Sequence, residues 1–177
     1  MPLPIITARL RLEPPTLEDA EGLLAVYSDP EVVRFLHAAP AKSVRDVAPR
    51  LARRIEIQDR FGFTFWTARL RESGEVIGGC GIKPLEEGPL IEVGYHFGRA
   101  HWGKGYATEG AIASLRFGFE EAGLDRIVAV YAPANVASGR VMERAGMRKV
   151  GPSRAYDTDV ILYEALRSKW RPPRHVS

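Results

Sequence analysis

Cysteine is almost absent from the 177-residue chain, which contains only Cys80. A single cysteine excludes an intramolecular disulfide and any metal site built from several cysteines, and we expect no metal. Because Cys80 lies in the apolar run Val76–Ile82, we expect it to be a small buried residue of the core. No run approaches the roughly 18 apolar residues of a membrane-spanning helix, so a membrane partner is not expected either.

Asparagine and glutamine are equally scarce. Asn135 and Gln58 are the only examples, and lysine (5 residues) is far rarer than arginine (20 residues). Such a composition fits a protein kept at high temperature. A GC-rich genome would produce much of the same bias, so both explanations stay open.

The chain also has no block of charge of one sign. Lys+Arg exceeds Asp+Glu by 25 − 22 = 3, which is far from the balance of proteins that bind nucleic acids or membrane surfaces. The arginine-rich segment 46–60 resembles an anion-binding face, but Glu56 and Asp59 are interleaved with its arginines. We therefore interpret it as the solvated face of a helix and expect no nucleic-acid partner.

What is present is typical of a globular protein, since 45% of the residues are hydrophobic and 27% are charged. A chain of this length buries about 70% of its unfolded surface, so it needs no metal or disulfide for stability. We expect one domain over residues 1–170 and a frayed tail over residues 171–177. The first residues, Met1–Pro4, lack the basic and apolar regions of a secretory signal, which predicts a cytoplasmic protein.

Hydrophobic periodicity and turn residues predict a mixed α/β sheet, because strands and helices are interspersed and a hairpin lies near the middle of the chain. The helix predicted over Asp46–Arg60 requires Pro49 in its first turn, where no N–H is needed. Strands are predicted around Leu10–Leu12, Phe63–Leu70, Glu75–Ile82, Ile91–Phe97, Ile127–Tyr131 and Val160–Leu166. Further helices are predicted at Leu17–Tyr27, after Asp29-Pro30, at Gly105–Ala122 and at Ser138–Ala145.

The segment from Glu92 to Glu109 is typical of a strand, a glycine-bearing loop and the start of a helix. Gly103 and Gly105 allow a sharp turn that points successive N–H groups into one concavity. The helix that follows adds its first N–H groups and the positive end of its dipole. Such a loop can bind pyrophosphate, although a tight turn with nothing bound explains the same glycines equally well.

Two nucleotide-binding motifs are nearly matched but fail. Gly98 followed by Gly103-Lys104 satisfies most of the P-loop pattern G-x-x-x-x-G-K-[S/T], but Gly105 occupies the position of the hydroxyl that binds magnesium. Thr108 stands where the third glycine of the dinucleotide pattern G-x-G-x-x-G belongs. The sequence therefore disfavours both an ATPase and a dinucleotide-binding enzyme.

Taken in order, the motifs of the chain resemble those of the GNAT superfamily of N-acetyltransferases, in the bacterial branch of the RimJ/RimL-type ribosomal-protein N-terminal acetyltransferases. The resemblance covers nearly the whole chain, although each piece alone is weak. It is carried by Thr7–Leu12, Asp29–Leu36, Glu92–Tyr95, Trp102–Glu109, Asn135–Met147 and Asp159–Tyr163. It implies an enzyme that uses acetyl-CoA as a co-substrate.

The resemblance also implies the GNAT fold, a single mixed, mostly antiparallel sheet of about six to seven strands that is splayed in the middle and flanked by helices on both faces. In the family, backbone N–H groups of the glycine-bearing loop bind the CoA pyrophosphate. The splayed strand pairs with the pantetheine arm, and an asparagine at the start of the next helix binds that arm. The implied CoA-binding residues are Tyr95, Phe97, Trp102, Gly103, Lys104, Gly105, Tyr106, Ala107, Thr108, Asn135 and Ser138.

Two features of this chain bear on the resemblance in opposite directions. The wider superfamily places Gln or Arg three residues before the first glycine of the loop, where this chain has Ala100 next to Arg99. In contrast, the single asparagine, Asn135, falls at the family's pantetheine-binding position. If asparagine is generally avoided in this composition, a functional role explains the presence of Asn135 more easily than chance does. A role in a turn is the alternative.

The implied reaction is the attack of a neutral amine on the acetyl-CoA thioester within a ternary complex, which needs a base for the amine and an acid for the thiolate. In the RimL-like branch a glutamate just before the splay, here Glu92, is implicated as the base; the alternative is an ordinary salt-bridged residue.

The acid for the thiolate differs within the superfamily, and many members carry a tyrosine acid where this chain has Met142. RimL-like enzymes use a serine that maps to Ser138, for which a helix N-cap is the alternative. Backbone N–H groups near Val93–Tyr95 are candidates for the oxyanion if the strand bulges there.

The resemblance does not identify the acceptor. A protein N-terminus, a polyamine and an antibiotic amine all stay open, and Glu86 and Glu87 either attract a cationic acceptor or are simply exposed. His101 is a candidate for a phosphate contact, and His96 faces either solvent or substrate. A non-catalytic acyl-CoA-binding module on the same fold is the alternative function, and a homodimer is left open.

Overall fold

One sheet of eight strands organises the structure, a computed structural model that describes residues 3–36 and 38–173. Within these residues the strands are β1 Ile5–Ile6, β2 Leu10–Glu13, β3 Phe65–Leu70, β4 Val76–Pro84, β5 Ile91–Phe97, β6 Arg126–Tyr131, β7 Arg148–Ala155 and β8 Thr158–Leu166. The α-helices are α1 Ala20–Tyr27, α2 Pro30–Val33, α3 Val44–Phe61, α4 Tyr106–Glu120 and α5 Val136–Arg144, with 3-10 turns at Leu17–Asp19 and Arg99–His101. The strand order is β1-β2-β3-β4-β5-β6-β8-β7, a single mixed, mostly antiparallel sheet as the resemblance implied, with eight strands in place of the expected six to seven.

The sheet divides in its middle, between β5 and β6. These two strands are the one parallel neighbour pair among the described strands, and a single register pair, Glu92 with Val128, joins them. On either side the pairing is extensive, with seven register pairs between β4 and β5 and six between β6 and β8. Because β5 and β6 are tied at one point only, they diverge beyond it, and this confirms the expected splay.

Helices cover both faces of the sheet, as expected. On one face the ring of Phe117, in α4, meets Trp66 edge-on with 5.0 Å between the ring centroids. On the other face the hydroxyl of Thr67 donates a hydrogen bond to Oδ2 of Asp19, which directly precedes α1, at 2.7 Å. Trp66 and Thr67 are consecutive residues of β3, so their side chains leave the sheet on opposite sides.

Helix α3 begins two residues earlier than predicted, and Pro49 therefore lies in its second turn rather than its first. The start is set by Ser43, the N-cap, whose N–H donates to Oδ2 of Asp46 at 2.9 Å. Backbone N–H groups of Lys42 and Ser43 bind this carboxylate and lower the pKa of Asp46 below its usual value. Gly62, at φ 76°, ends the helix in the left-handed conformation. The helix thus continues through Pro49 with one N–H missing from its second turn.

Two strands, β1 and β7, are absent from the sequence-based prediction. β1 has only two residues, too few for a periodic pattern. β7 lies at the edge of the sheet, is largely exposed and contains Gly151 and Pro152. A proline is tolerated in an edge strand, where its missing N–H breaks no ladder on the open side. The frayed tail predicted for residues 171–177 lies largely outside the described residues, which end at 173.

Cys80 is fully buried, as expected, and its Sγ lies 3.5 Å from the hydroxyl of Ser114 on α4. It belongs to the main core between the sheet and α4, together with Trp66, Leu115 and Tyr163. None of the helices in residues 3–36 and 38–173 combines the length and apolar character needed to cross a membrane.

Candidate active site

The divergence of β5 and β6 opens a cavity of about 530 Å³ in the middle of the sheet. Its wall brings together four predicted site residues from distant parts of the chain, namely Glu92, Tyr95, Asn135 and Ser138. The other predicted residues, Phe97 and 102–108, are not part of this wall; they belong to the end of β5, the following loop and the first turn of α4.

Strand β5 contains no bulge on its β4 side, because its register with β4 continues without a shift from Ile91 to Phe97. The condition under which backbone N–H groups near Val93–Tyr95 were candidates for the oxyanion, a bulge in this strand, is therefore not met on the β4 side. The cavity wall nevertheless includes Val93, Gly94 and Tyr95, since the departure of β6 exposes this part of β5. Divergence of two strands thus replaces the bulge as the means of opening the sheet.

Glu92 is a buried carboxylate, 6% exposed, at the point where the strands part. Its Oε1 accepts hydrogen bonds from Nζ of Lys83 and from the hydroxyl of Tyr156. Nζ of Lys83 also donates to Oη of Tyr156, at 2.8 Å. The salt bridge that was the alternative role for Glu92 is therefore present, and Glu92 also lies in the cavity wall. Both contacts use Oε1, and neither engages Oε2.

Sequence reasoning missed Tyr156. It lies in the two-residue turn between β7 and β8, where Tyr156 and Asp157 have φ values of 53° and 57°, as in a type I′ hairpin turn. Its N–H donates to Oε1 of Glu86 at 2.9 Å, so Glu86 serves to hold this turn. Burial, followed by the charge of Glu92, raises the pKa of Tyr156 well above its usual value. Its hydroxyl is therefore a permanent donor to Glu92 at neutral pH.

Asn135 and Ser138 lie at the start of α5, which begins two residues before the predicted start because Asn135 is its N-cap. Oδ1 of Asn135 accepts the N–H of Ser138 at 3.3 Å. Ser138 is therefore in the first turn, and the N-cap interpretation of Ser138 is wrong. A contact between Asn135 and a pantetheine arm would use the side-chain NH2 group, because Oδ1 is engaged by the cap.

The hydroxyl of Ser138 forms a pair with that of Tyr95, from β5. Their oxygens are 3.0 Å apart, and the Tyr95 hydroxyl also donates to the Ser138 carbonyl at 2.8 Å. Burial raises the pKa of Tyr95 well above its usual value, so this hydroxyl keeps its proton at neutral pH. Met142, buried in the same wall, has no proton to donate. The hydroxyl pair of Tyr95 and Ser138 thus places protons in the cavity wall where Met142 has none.

The loop from β5 to α4 turns at Gly103 and Gly105, whose φ values of 72° and 83° lie in the left-handed region. Nε1 of Trp102 donates to the carbonyl of Phe97 at 2.7 Å and ties the loop to the end of β5. Gly105 is the N-cap of α4, so the free N–H groups of a 15-residue helix begin where the turn ends. The expected strand, glycine turn and helix start are all present. We call residues 102–105 the glycine loop.

Arg9, which sequence reasoning missed, supports the glycine loop. Its Nη1 donates to the carbonyl of Lys104 at 2.8 Å, and its Nε pairs with Oε2 of Glu109 at 2.7 Å. Burial alone would raise the pKa of Glu109, but hydrogen bonds from Thr7 and Arg9 lower it below its usual value. Nη2 of Arg9 is buried without a hydrogen-bond partner and lies 3.2 Å from where a Cβ on Gly105 would be. A braced loop with an unused donor beside it fits the phosphate groups of CoA.

The two side chains that flank this loop are engaged with the protein. Nε2 of His101, whose side chain is 15% exposed, lies 3.4 Å from Oε1 of Glu75. Nε of Arg99 pairs with Oδ2 of Asp29 at 2.9 Å. These contacts join the loop to other parts of the chain. Among the described residues, no group of three or more His, Cys, Asp and Glu side chains is placed to hold a metal ion.

The wall formed by α3 is basic, and the interpretation of segment 46–60 as only a solvated face is wrong at Arg54. This residue is 9% exposed, donates through Nη2 to the Tyr27 hydroxyl, and lies over the ring of Phe65 at 4.6 Å. Arg50 lies over the ring of Tyr27 at 4.8 Å. Burial and the neighbouring positive charges lower the pKa of His96 to about 3, so its ring is neutral. We call these five residues, Tyr27, Arg50, Arg54, Phe65 and His96, the arginine pocket.

The chain is similar to known proteins over most of its length. A family model described as an acetyltransferase (GNAT) domain matches residues 9–148. The chain is 34% identical to the uncharacterized protein YkkB of Bacillus subtilis, over 90% of this chain and 94% of that protein. It is 30% identical to the uncharacterized N-acetyltransferase p20 of Bacillus licheniformis, over 94% of this chain and 97% of that protein. The crystal structure of a GNAT-family acetyltransferase from Bacillus anthracis matches with a TM-score of 0.80 at 25% identity, covering 93% of this chain and 99% of that chain.

Proposed function

The chain belongs to the GNAT family of acetyltransferases, and from this premise we propose that it transfers the acetyl group of acetyl-CoA to a primary amine, either a protein N-terminus or a small molecule. The observation that carries this proposal is the cavity at the division of the sheet. It holds a buried carboxylate, Glu92, and the hydroxyl pair of Tyr95 and Ser138. These are the groups that the attack of an amine on a thioester requires.

The residues proposed to hold CoA lie along the glycine loop and the parted edge of β5. When bound, acetyl-CoA supplies the acetyl group as a thioester. Backbone N–H groups of residues 102–108, with the first turn of α4, bind the pyrophosphate. The stretch Tyr95–Phe97 of β5 and the side-chain NH2 of Asn135 bind the pantetheine arm, in the space that β6 leaves open.

Glu92 is proposed as the base. It takes the proton that the amine nitrogen loses as this nitrogen bonds to the acetyl carbon, either directly or through a water. Ser138, hydrogen-bonded to Tyr95, gives a proton to the sulfur as the C–S bond breaks. Glu92 and Ser138 both line one cavity, so a base for the amine proton and an acid for the thiolate are available at the same site.

Direct transfer within a ternary complex is favoured over an acetylated enzyme. The one cysteine of the chain, Cys80, is buried against α4 and is not in the cavity wall. Burial raises the pKa of the Cys80 thiol to about 12. A thiol that is not ionised is a poor nucleophile, so the amine itself is the group that attacks.

Within the family, the RimJ/RimL-type branch is proposed for this chain because Ser138 stands in the first turn of α5 while Met142 occupies the place of the usual tyrosine acid. The contact between Ser138 and Tyr95 supports this assignment, since it keeps the serine hydroxyl at the cavity. The branch name does not make a ribosomal protein the substrate.

Calorimetric titration with acetyl-CoA, followed by measurement of free CoA released with a panel of amines, tests the proposal. We expect binding, and release of CoA that depends on the amine. Absence of CoA binding would contradict both the enzyme and the alternative, a non-catalytic acyl-CoA-binding module on the same fold. Binding without release with any amine would favour the module.

A further inference from the structure

Arg54 is a buried cation with an unused donor. Its side chain is 9% exposed, and its Nη1 is buried without a hydrogen-bond partner. Nη2 is engaged by the hydroxyl of Tyr27, and the guanidinium lies over the ring of Phe65 at 4.6 Å. The ring contact and the hydroxyl hold the guanidinium in the wall of the cavity, where Nη1 is a donor without a partner.

No acidic side chain among the described residues neutralises this charge. The ion pairs of α3 and its surroundings lie elsewhere: Arg53 with Glu87, both exposed, and Lys83 with Glu92. Arg50 adds a second positive charge, and its polar contact is the carbonyl of Ala39 at 3.4 Å. A buried charge without a counter-ion is costly, which indicates that an anion completes the pocket.

His96 provides a second unsatisfied group at the same place. Its ring packs at a tilt against Phe65, with 4.8 Å between centroids, on the residue that also supports Arg54. Its Nδ1 is buried without a hydrogen-bond partner. Burial, followed by the positive charges of Arg54, Lys83 and Arg50, lowers the pKa of His96 to about 3, so the ring is neutral and adds no charge of its own. A ligand in this pocket therefore meets a positive guanidinium beside a neutral imidazole.

The negative groups near this end of the cavity are already occupied. Glu86 holds the β7–β8 turn by accepting from the N–H of Tyr156, and Glu87 pairs with Arg53 at the surface. Attraction of a cationic acceptor by these glutamates, considered from the sequence, is therefore disfavoured. Glu92 is left to face the amine itself.

We propose that the acceptor is a small amine that also carries an oxyanion, of which a carboxylate is the simplest, and that this group binds to Arg54 in the arginine pocket. The proposal rests on the proposed acetyl transfer and names the class of its acceptor. A guanidinium presents N–H donors that match the oxygens of a carboxylate or a phosphate. Arg54 and Glu92 line the same cavity, so one ligand can place its oxyanion at Arg54 and its amine nitrogen at Glu92.

Matched amines test the proposal. Amino acids, their carboxamides and their aminophosphonate analogues are compared as acceptors by the rate of CoA release. We expect kcat/KM to be at least about 30-fold higher for the carboxylates than for the carboxamides, since a buried charge-assisted contact has about this effect. The aminophosphonates distinguish a carboxylate from a phosphate-like group. Equal rates for carboxylates and carboxamides would overturn the inference and leave the acetyltransferase proposal intact.

Arg54→Gln and Arg60→Gln form a matched pair of variants. Both remove one positive charge from α3, but Arg60 is exposed and is not in the cavity wall. We expect Arg54→Gln to abolish the preference for the carboxylate and Arg60→Gln to keep it, while the KM for acetyl-CoA is unchanged in both. A rise in the KM for acetyl-CoA with Arg54→Gln would show that this guanidinium serves CoA, and would overturn the inference.

Binding provides a readout that does not depend on turnover or on the stability of a variant. The wild-type protein with CoA is titrated calorimetrically with N-acetyl amino acids and with their amides. We expect the acids to bind at least about tenfold more tightly. Equal affinity would contradict the inference even if no amine were acetylated, whereas failure to bind CoA would contradict the proposed function.

Discussion

The two ends of the proposed active site, the CoA end at the glycine loop and the acceptor end at the arginine pocket, are built in different ways. The glycine loop and α4 follow β5 directly, so one continuous segment, residues 92–109, supplies most of the groups proposed to bind CoA. The arginine pocket instead takes side chains from α1, α3, β3 and β5. Backbone N–H groups are aimed by local conformation, whereas side chains from four elements meet only when the fold is complete. A site for a common co-substrate is therefore encoded locally, and a site for a specific acceptor is not.

The largest effect is expected at Glu92, which lies in the cavity wall where β5 and β6 part. Glu92→Gln keeps the shape of the side chain but removes the proposed base, so kcat should fall by about 100-fold or more. The KM for acetyl-CoA should be unchanged, because the glycine loop is untouched. Steady-state measurement of CoA release checks both quantities.

Glu164→Gln is the control for Glu92→Gln. Glu164 is also a buried glutamate held by positive partners, Arg126 and Arg148, but it is outside the cavity wall. We expect it to keep the wild-type kcat at a temperature where it is folded. Wild-type turnover in Glu92→Gln would remove this residue from the mechanism.

Gly105→Ala tests whether the CoA end depends on backbone conformation. The left-handed φ of 83° is strained for alanine, and the new Cβ would lie 3.2 Å from Nη2 of Arg9. We expect acetyl-CoA to bind about tenfold more weakly, because strain of this kind costs on the order of 1–2 kcal/mol. The preference between amines should be unaffected. Calorimetry with acetyl-CoA measures the change.

Gly62→Ala is its matched control, because Gly62 has a similar φ of 76° and a Cβ there would meet nothing within 4 Å. It ends α3, away from the glycine loop. It should lower stability without weakening CoA binding. If both variants weakened CoA binding equally, the lower affinity would result from a general loss of stability. The statement that local backbone conformation determines the CoA end would then be refuted.

Ser138→Ala tests the proton source with a smaller, pH-dependent effect. A free thiol has a pKa of about 8.5, so the departing thiolate needs an acid mainly below that pH. We expect kcat to fall about three- to tenfold below pH 8.5 and to approach the wild-type value above it. The effect is limited because Tyr95 stays protonated beside the leaving group.

Ser114→Ala is the control for the pH profile, since Ser114 is a buried serine of α4 that bonds to the carbonyl of Gly110 and is not in the cavity wall. Its profile should match the wild type. A loss in Ser138→Ala that is the same at every pH would indicate a positioning role for this hydroxyl in place of proton donation.

The sequence was sufficient to predict the elements whose signals are local. The glycine turn, the start of α4, the splayed strand and the position of Asn135 follow from short motifs and from a family resemblance. Tyr156 was missed because β7 is polar and contains Pro152, so its hairpin has no alternating pattern. Arg54 was misread because its helix looks solvated, and only packing against Phe65 and Tyr27 shows that this arginine is inside. Burial of one charged side chain is a tertiary property that periodicity does not encode.

Glu109 sets a limit to the local character of the CoA end. Its carboxylate accepts hydrogen bonds from Thr7 and Arg9, about a hundred residues earlier in the chain, and these lower its pKa from the usual 4.5. A carboxyl whose pKa is lowered by folding adds stability that is fully present above about pH 4.5 and is lost as the pH falls through the lower folded value.

Glu109→Gln should therefore lower Tm by about 3 °C at pH 7, a shift typical of about 1 kcal/mol in a chain of this size. It should also reduce the fall of Tm below pH 4.5, because the variant has no carboxylate to protonate there. Glu120→Gln, at the exposed end of the same helix, is the control and should leave the profile unchanged. Glu109→Gln could leave Tm and its acid dependence unaltered while Gly105→Ala still weakens CoA binding. The glycine loop would then need no support from Arg9, and the contrast between the two ends would be sharper than the contacts indicate.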